Sequence, residues 1–162
     1  MTTNYEKGKI EYLRTKVLTA SPEELQLMLY DGAIRFAEEG RTALQEGDLE
    51  KAHNSLVRTQ NIVLEMSSSL DHKIDPDLCA KVSSLYNFIY RRLIEANMKR
   101  DITAIDDALK ILNYQRETWV LLMQKLAEER KAQLATAGQI PAETEPHGQS
   151  VSEPGMSLSI SV

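Results

Sequence analysis

The sequence predicts an all-α protein: an antiparallel up-down four-helix bundle with an N-terminal arm and a disordered C-terminal tail. Three observations lead there. Long stretches without Gly or Pro are rich in Leu, Ala, Glu, Lys and Arg, residues that lose little freedom in a helix. Four helix starts carry a capping residue, at Ser21, Asp48, Asp75 and Asp101, and two of these are followed at once by proline. The connections between the helices are short, which makes successive helices antiparallel neighbours.

Residues 1–20 form the arm. Tyr5, Ile10, Tyr12, Leu13, Val17 and Leu18 lie there among charges. The segment is short for an independent helix and shows no strong cap, so it is expected to be partly helical or extended and held by docking its apolar residues. The bundle is expected over residues 21–134. Its first helix runs from Pro22 to Glu46. Ser21 caps it, Pro22 fits the first helical position, and Glu24 completes a capping box. Gly47 and Asp48 end that helix and cap the second, Leu49 to Leu70, with inner face Ala52, Leu56, Thr59, Val63, Met66 and Leu70. Asp75 caps the third, Pro76 to Lys99, with inner face Leu78, Val82, Leu85, Ile89, Leu93 and Ala96. Asp101 caps the fourth, Ile102 to Leu134, with inner face Ile105, Leu109, Leu112, Trp119, Met123 and Leu126. From Ala135 the periodicity stops, and residues 135–162 read as a disordered tail rich in Gly, Pro, Ser and Thr. Ser157–Val162 alternates like a strand, but a lone strand has nothing to pair with.

The 162 residues carry 19 Lys and Arg against 24 Asp and Glu. Three of the acids fall in the tail, which leaves a nearly neutral body without the basic footprint of a nucleic-acid binder. Cys79 is the sole cysteine, so no internal disulfide forms and a reducing compartment is expected. No signal sequence opens the chain and no apolar run spans a membrane, so a cytosolic protein without membrane insertion is expected.

The helices have more apolar residues than one inward seam needs. On the first helix, Leu25, Met28, Leu29, Gly32 and Phe36 share one face, while Leu27, Tyr30, Ile34 and Ala37 share another. The third helix adds Tyr86, Tyr90 and Ile94 at spacings of four, and the fourth adds Ile111, Tyr114, Leu121 and Leu122. Wide-faced helices with tyrosines at the core edge account for any one of these. Together they leave contiguous apolar surface of the kind that marks an interface. The occupant is the protein's own arm, a second copy, or another chain's amphipathic helix.

Catalytic readings find little. Glu50 and His53 have the Glu-x-x-His spacing of di-iron bundles, but that site needs the motif twice plus two inward carboxylates. Ala52-His53 resembles part of a histidine phosphotransfer motif, with the following Leu displaced by one and the Lys-Gly pair missing. Cys79 has no nearby His, and no Gly-rich phosphate loop occurs. No cofactor, metal or catalytic residue is expected. A helical adaptor that dimerises, and a phosphotransfer bundle built on His53, are kept as alternatives.

Three motifs together resemble the FliS family of flagellar secretion chaperones. The first runs from Tyr12 through Val17-Leu18-Thr19-Ala20-Ser21-Pro22-Glu23-Glu24-Leu25 to Met28-Leu29-Tyr30-Asp31-Gly32-Ala33. The second is Leu85-Tyr86-Asn87-Phe88-Ile89-Tyr90-Arg91-Arg92-Leu93-Ile94-Glu95-Ala96-Asn97, with Asn87 where many members have Asp. The third is Glu117-Thr118-Trp119. The resemblance covers about residues 5–125. It implies a helical bundle, not an enzyme, that binds the disordered C-terminal segment of flagellin in the cytosol. Such a chaperone holds flagellin unpolymerised and delivers it to the flagellar export gate. With this implication the candidate partner-binding residues are Leu27, Tyr30, Ile34, Tyr86, Tyr90, Ile94, Asn97, Ile111 and Tyr114. The resemblance also implies an arm, around Tyr12 and Val17, that caps part of the groove when flagellin is absent.

Overall fold

A computed structural model describes residues 3–138. Its helices are α1 (Asn4–Thr19), α2 (Pro22–Glu46), α3 (Leu49–Ser68), α4 (Pro76–Lys99) and α5 (Ile102–Ala137). The chain divides into two compact units, Met1–Ala127 and Glu128–Val162. The described part of the second is the last turns of α5, whose residues are all exposed. Those turns reach Ala137, beyond the expected end at Leu134. From residue 139 the expected tail, with its alternating Ser157–Val162, lies outside the described residues.

The caps form as their residue types require. Ser21 Oγ accepts from the Glu24 amide and Glu24 Oε2 accepts from the Ser21 amide. Asp48 and Asp75 accept from the amides of Lys51 and Leu78, and Asp101 accepts from that of Thr103. Gly47 ends α2 in the left-handed region at φ 80°, which costs glycine nothing. The arm differs from expectation. Thr3 and Glu6 make a full capping box, so residues 4–19 form a regular helix. None of its residues is buried, and its apolar side chains are exposed.

Contact pairs fix the order of α2 to α5 in a ring. Gly32 meets Ile62 and Gly40 meets Leu56, so α3 runs antiparallel to α2. Arg92 pairs with Asp107 across the tight turn between α4 and α5, and His53 of α3 faces Asn97 of α4. Arg41 pairs with Asp106, and Asp31 with Arg116, which closes the ring between α5 and α2. As half-exposed pairs these ties contribute little stability and act mainly as register marks. Across the diagonal, the hydroxyls of Tyr30 on α2 and Tyr86 on α4 lie 2.9 Å apart.

The core is Leu56, Val63 and Met66 of α3, Ile89 and Leu93 of α4, and Ile105 and Leu112 of α5, around Tyr30 and Tyr86. The inner face of α3 is as the periodicity gives it from Ala52 to Met66, while Leu70, expected to close it, lies past the helix end at Ser68 and is partly buried. Two helices correct the expectation. On α2 the buried residues are Tyr30, Ala33, Ala37, Gly40 and Ala43, so the stripe expected to be surplus is the inner one. On α4 the inward tyrosine is Tyr86, while Leu78 and Leu85, expected inside, are exposed. The cause on α2 is size: a seam of Ala and Gly lets α3 approach closely, and close approach buries more than wide residues on the next face do.

Candidate functional site

The two ends of the bundle are built differently. At one end the two-residue turns Gly47-Asp48 and Arg100-Asp101 hold helix termini together, and small residues such as Ala43, Ala52, Ala96 and Ala104 fill the space. At the other end α3 and α4 are joined by the longer segment 69–75, and α2 begins with the arm attached. Here lies an open groove of about 780 Å³.

The α3–α4 junction and α4 line it with Leu70, Ile74, Leu78, Val82 and Leu85, and α5 lines it with Tyr114, Trp119 and Leu122. Much of this is bare apolar surface: Ile74 is 83% exposed, Leu78 56% and Tyr114 69%. Trp119 donates its indole N–H to the Glu23 carbonyl at 3.0 Å, which pins the α5 wall to the first turn of α2. A concentration of exposed apolar side chains around one concavity marks a binding surface.

The floor is polar but neutral. Tyr30 and Tyr86 share their hydroxyl–hydroxyl bond, Gln26 Nε2 donates to Tyr86 Oη at 3.5 Å, and Gln115 of α5 completes the floor. Burial, and then the bond to Tyr30, hold the Tyr86 phenol far above its ordinary pKa of 10.0. Replacing Tyr86 by Phe is expected to cost about 1–3 kcal/mol, because the Tyr30 hydroxyl loses its partner inside the protein. In urea titrations the double change to Phe at both positions should cost less than the sum of the two singles. Sign follows from the raised pKa: the stabilisation is complete below pH 10 and falls as pH rises past it, when the unfolded phenol ionises and the folded one resists. Tyr86→Phe should lack that part of the alkaline slope.

Of the nine candidate partner-binding residues, the groove gathers Tyr30, Tyr86 and Tyr114. Ile34, Tyr90 and Ile111 are partly buried against the core. Leu27 and Ile94 are half-buried outside the groove lining. The Asn97 amide faces His53 Nδ1, with Nδ2 at 2.9 Å and Oδ1 at 3.1 Å, and ties α4 to α3. Tyr12 and Val17 are exposed on α1. Residues that the periodicity placed inside, Leu78, Val82, Leu85 and Trp119, line the groove instead, joined by Ile74 and Leu122. Among the described residues no cluster of three or more His, Cys, Asp or Glu is placed to hold a metal ion, and no helix is long and apolar enough to cross a membrane.

Residues 4–126 match the family described as Flagellar protein FliS. The chain belongs to the FliS family. It is 32% identical over 127 residues to the flagellar secretion chaperone FliS of Bacillus subtilis strain 168, covering 78% of this chain and 92% of that protein. It is 30% identical over 114 residues to the flagellar secretion chaperone FliS of Salmonella typhimurium strain LT2, covering 70% of this chain and 84% of that one. Its fold is shared with a solved structure titled as a flagellar chaperone from bacteria, at a TM-score of 0.61 and 18% identity, over 74% of this chain and 97% of the other. The family resemblance read from the three motifs is thus borne out. The motifs themselves are mostly internal bonds of the FliS bundle. Tyr30 meets Tyr86, Asp31 pairs with Arg116, Arg92 with Asp107, Asn97 with His53, and Trp119 with Glu23.

Proposed function

We propose that this FliS family member is a cytosolic export chaperone whose groove takes up the disordered C-terminal segment of flagellin. It thereby keeps flagellin unpolymerised until it is handed to the flagellar export gate. The observation that carries the reading is the open apolar groove at the arm end of the bundle, in a chain whose relatives are named flagellar secretion chaperones. A segment that folds against such a surface gains about 1.5–3 kcal/mol for each large apolar side chain it covers, less the cost of its own ordering.

Cys79, the sole cysteine, lines the groove and reports on its occupancy. A peptide of the C-terminal segment of the organism's flagellin is expected to slow alkylation of Cys79 and to add one peptide to the native mass. Unchanged alkylation, with a dimer mass in the free protein, favours the self-associating adaptor instead.

The arm serves as the lid. α1 ends at Thr19, Ala20 and Ser21 are extended, and Pro22 already lines the groove, so the hinge sits at the rim. Lys7, Lys9, Arg14 and Lys16 outnumber the acids of α1, whereas the charged residues of the groove lining, Glu23, Asp71 and Asp75, are all acidic. A helix tethered this closely acts at high effective concentration when Tyr12 and Val17 turn inward. Deleting residues 1–18 is therefore expected to leave peptide affinity equal or severalfold higher by calorimetry. Much weaker binding after deletion would show the arm to be a contact for flagellin rather than its competitor.

A further inference from the structure

Gln115 stands where the core register of α5 calls for an apolar residue, in line with Leu112 before it and Trp119 after it. It is 8% exposed, it lines the groove, and its Oε1 is buried with no hydrogen-bond partner. A local rule broken without gain to the fold points to function. The same floor has a complementary deficit. Tyr30 and Tyr86 have two hydroxyl hydrogens and one hydroxyl–hydroxyl bond, while Gln26 donates to Tyr86 rather than accepting. One O–H is left without an acceptor in that chain of bonds, as Oε1 is left without a donor.

Resting on the reading of the groove as the flagellin site, we propose that Gln115 selects the bound segment. The segment carries an uncharged amide or hydroxyl side chain in the middle of its apolar face, and that group seats on the floor at Gln115. A side chain that donates a hydrogen bond satisfies Gln115 Oε1, and an amide or hydroxyl has acceptor capacity as well for a hydroxyl of the floor. A charged group is rejected, because the floor residues Gln26, Tyr30, Tyr86 and Gln115 are all neutral and would leave a buried charge unpaired. An apolar side chain is also disfavoured, because a site built to hydrogen-bond discriminates against the analogue lacking the polar group.

The test is a double-mutant cycle between the full chain and a flagellin C-terminal peptide in which each Asn, Gln, Ser and Thr is changed singly to Ala. On the unmodified chain, one such change is expected to weaken binding about tenfold. Gln115→Met, similar in length and apolar, should weaken the original peptide by a like factor and make that same peptide change nearly neutral. Its unfolding midpoint in the free state should be equal or higher. If no single peptide change on the unmodified chain exceeds twofold, or if Gln115→Met binds the original peptide as tightly as the unmodified chain, the selection is overturned. In either of those cases Cys79 is still protected by peptide, so the groove reading stands. Failure of the peptide to protect Cys79 in the unmodified chain removes the groove reading and this inference with it.

Discussion

Changing Leu78 and Leu122 together to Asp is expected to weaken flagellin peptide binding by more than a hundredfold while leaving the fold in place. Both residues line the groove, Leu78 from α4 and Leu122 from α5. Both are exposed, at 56% and 44%, so neither carboxylate is forced into the core and stability should shift by no more than about 0.5 kcal/mol each. The loss falls on the complex. The surface still open on the two leucines amounts to about one whole side chain, worth about 1.5–3 kcal/mol when a ligand covers it, and each Asp adds the cost of stripping water from a charge. A hundredfold in affinity corresponds to about 2.7 kcal/mol, which the lost apolar burial and the two charge-desolvation costs together exceed. Calorimetry measures the affinity and urea titration the fold. Undiminished binding would place the ligand elsewhere, and Ile94→Asp is the informative companion because Ile94 belongs to the α4 stripe outside the groove lining. A large loss there with none at Leu78 and Leu122 would move the site to that stripe.

The choice between those surfaces shows where sequence reasoning reaches and where it stops. Helix boundaries were legible to within a residue or two at Ser21, Gly47-Asp48, Asp75 and Asp101, because caps and turns are set by chemistry local to a few residues. The inner face of α3 was legible because its second apolar set, Val57 and Leu64 with Ile62 elsewhere, is too weak to compete with the main stripe. α2 and α4 each have two adjacent stripes, and periodicity says which residues share a face without saying which face points to the axis. On α2 the decision was made by small residues that a hydrophobicity count undervalues, Ala33, Ala37 and Gly40. On α4 it was made by a hydrogen bond that no spacing reveals, Tyr86 to Tyr30 across fifty-six residues of sequence. The groove followed from both decisions, since the side chains displaced from the axis, Leu78 and Leu85, became its wall. One signal was in view: the segment 69–75 is longer than the other two connections and holds Ile74, an isoleucine outside any helix, 83% exposed. Thr3 and Glu6 have the capping-box spacing in the sequence itself, so the expectation of no strong cap on the arm is corrected by residues already legible there.

The small-residue seam carries the second large effect. Gly40→Leu is expected to destabilise the bundle by about 3 kcal/mol, the upper end for an overpacked core. A Cβ at position 40 meets Leu56 Cγ and Cδ2 at 3.1 Å and the Ala52 carbonyl oxygen at 3.6 Å. Leu56 is fully buried in the core, so its side chain has no open space to turn into. The gain in helix propensity over glycine, about 1 kcal/mol, is too small to offset three further carbons wedged between α2 and α3. Urea titration should show the midpoint fall, and Leu56→Ala added to Gly40→Leu should recover part of the loss, since the new leucine then occupies the vacated volume. Strict additivity of the two changes would mean that the side chains do not share a site, and an unchanged midpoint in Gly40→Leu alone would mean that α2 and α3 are not in close contact there. Tyr30 of α2 and Met66 of α3 both line the groove at the far end of the same pair of helices, so wedging the seam apart is expected to disturb the groove's lining. Gly40→Leu should therefore lower peptide affinity even under conditions where the variant remains folded.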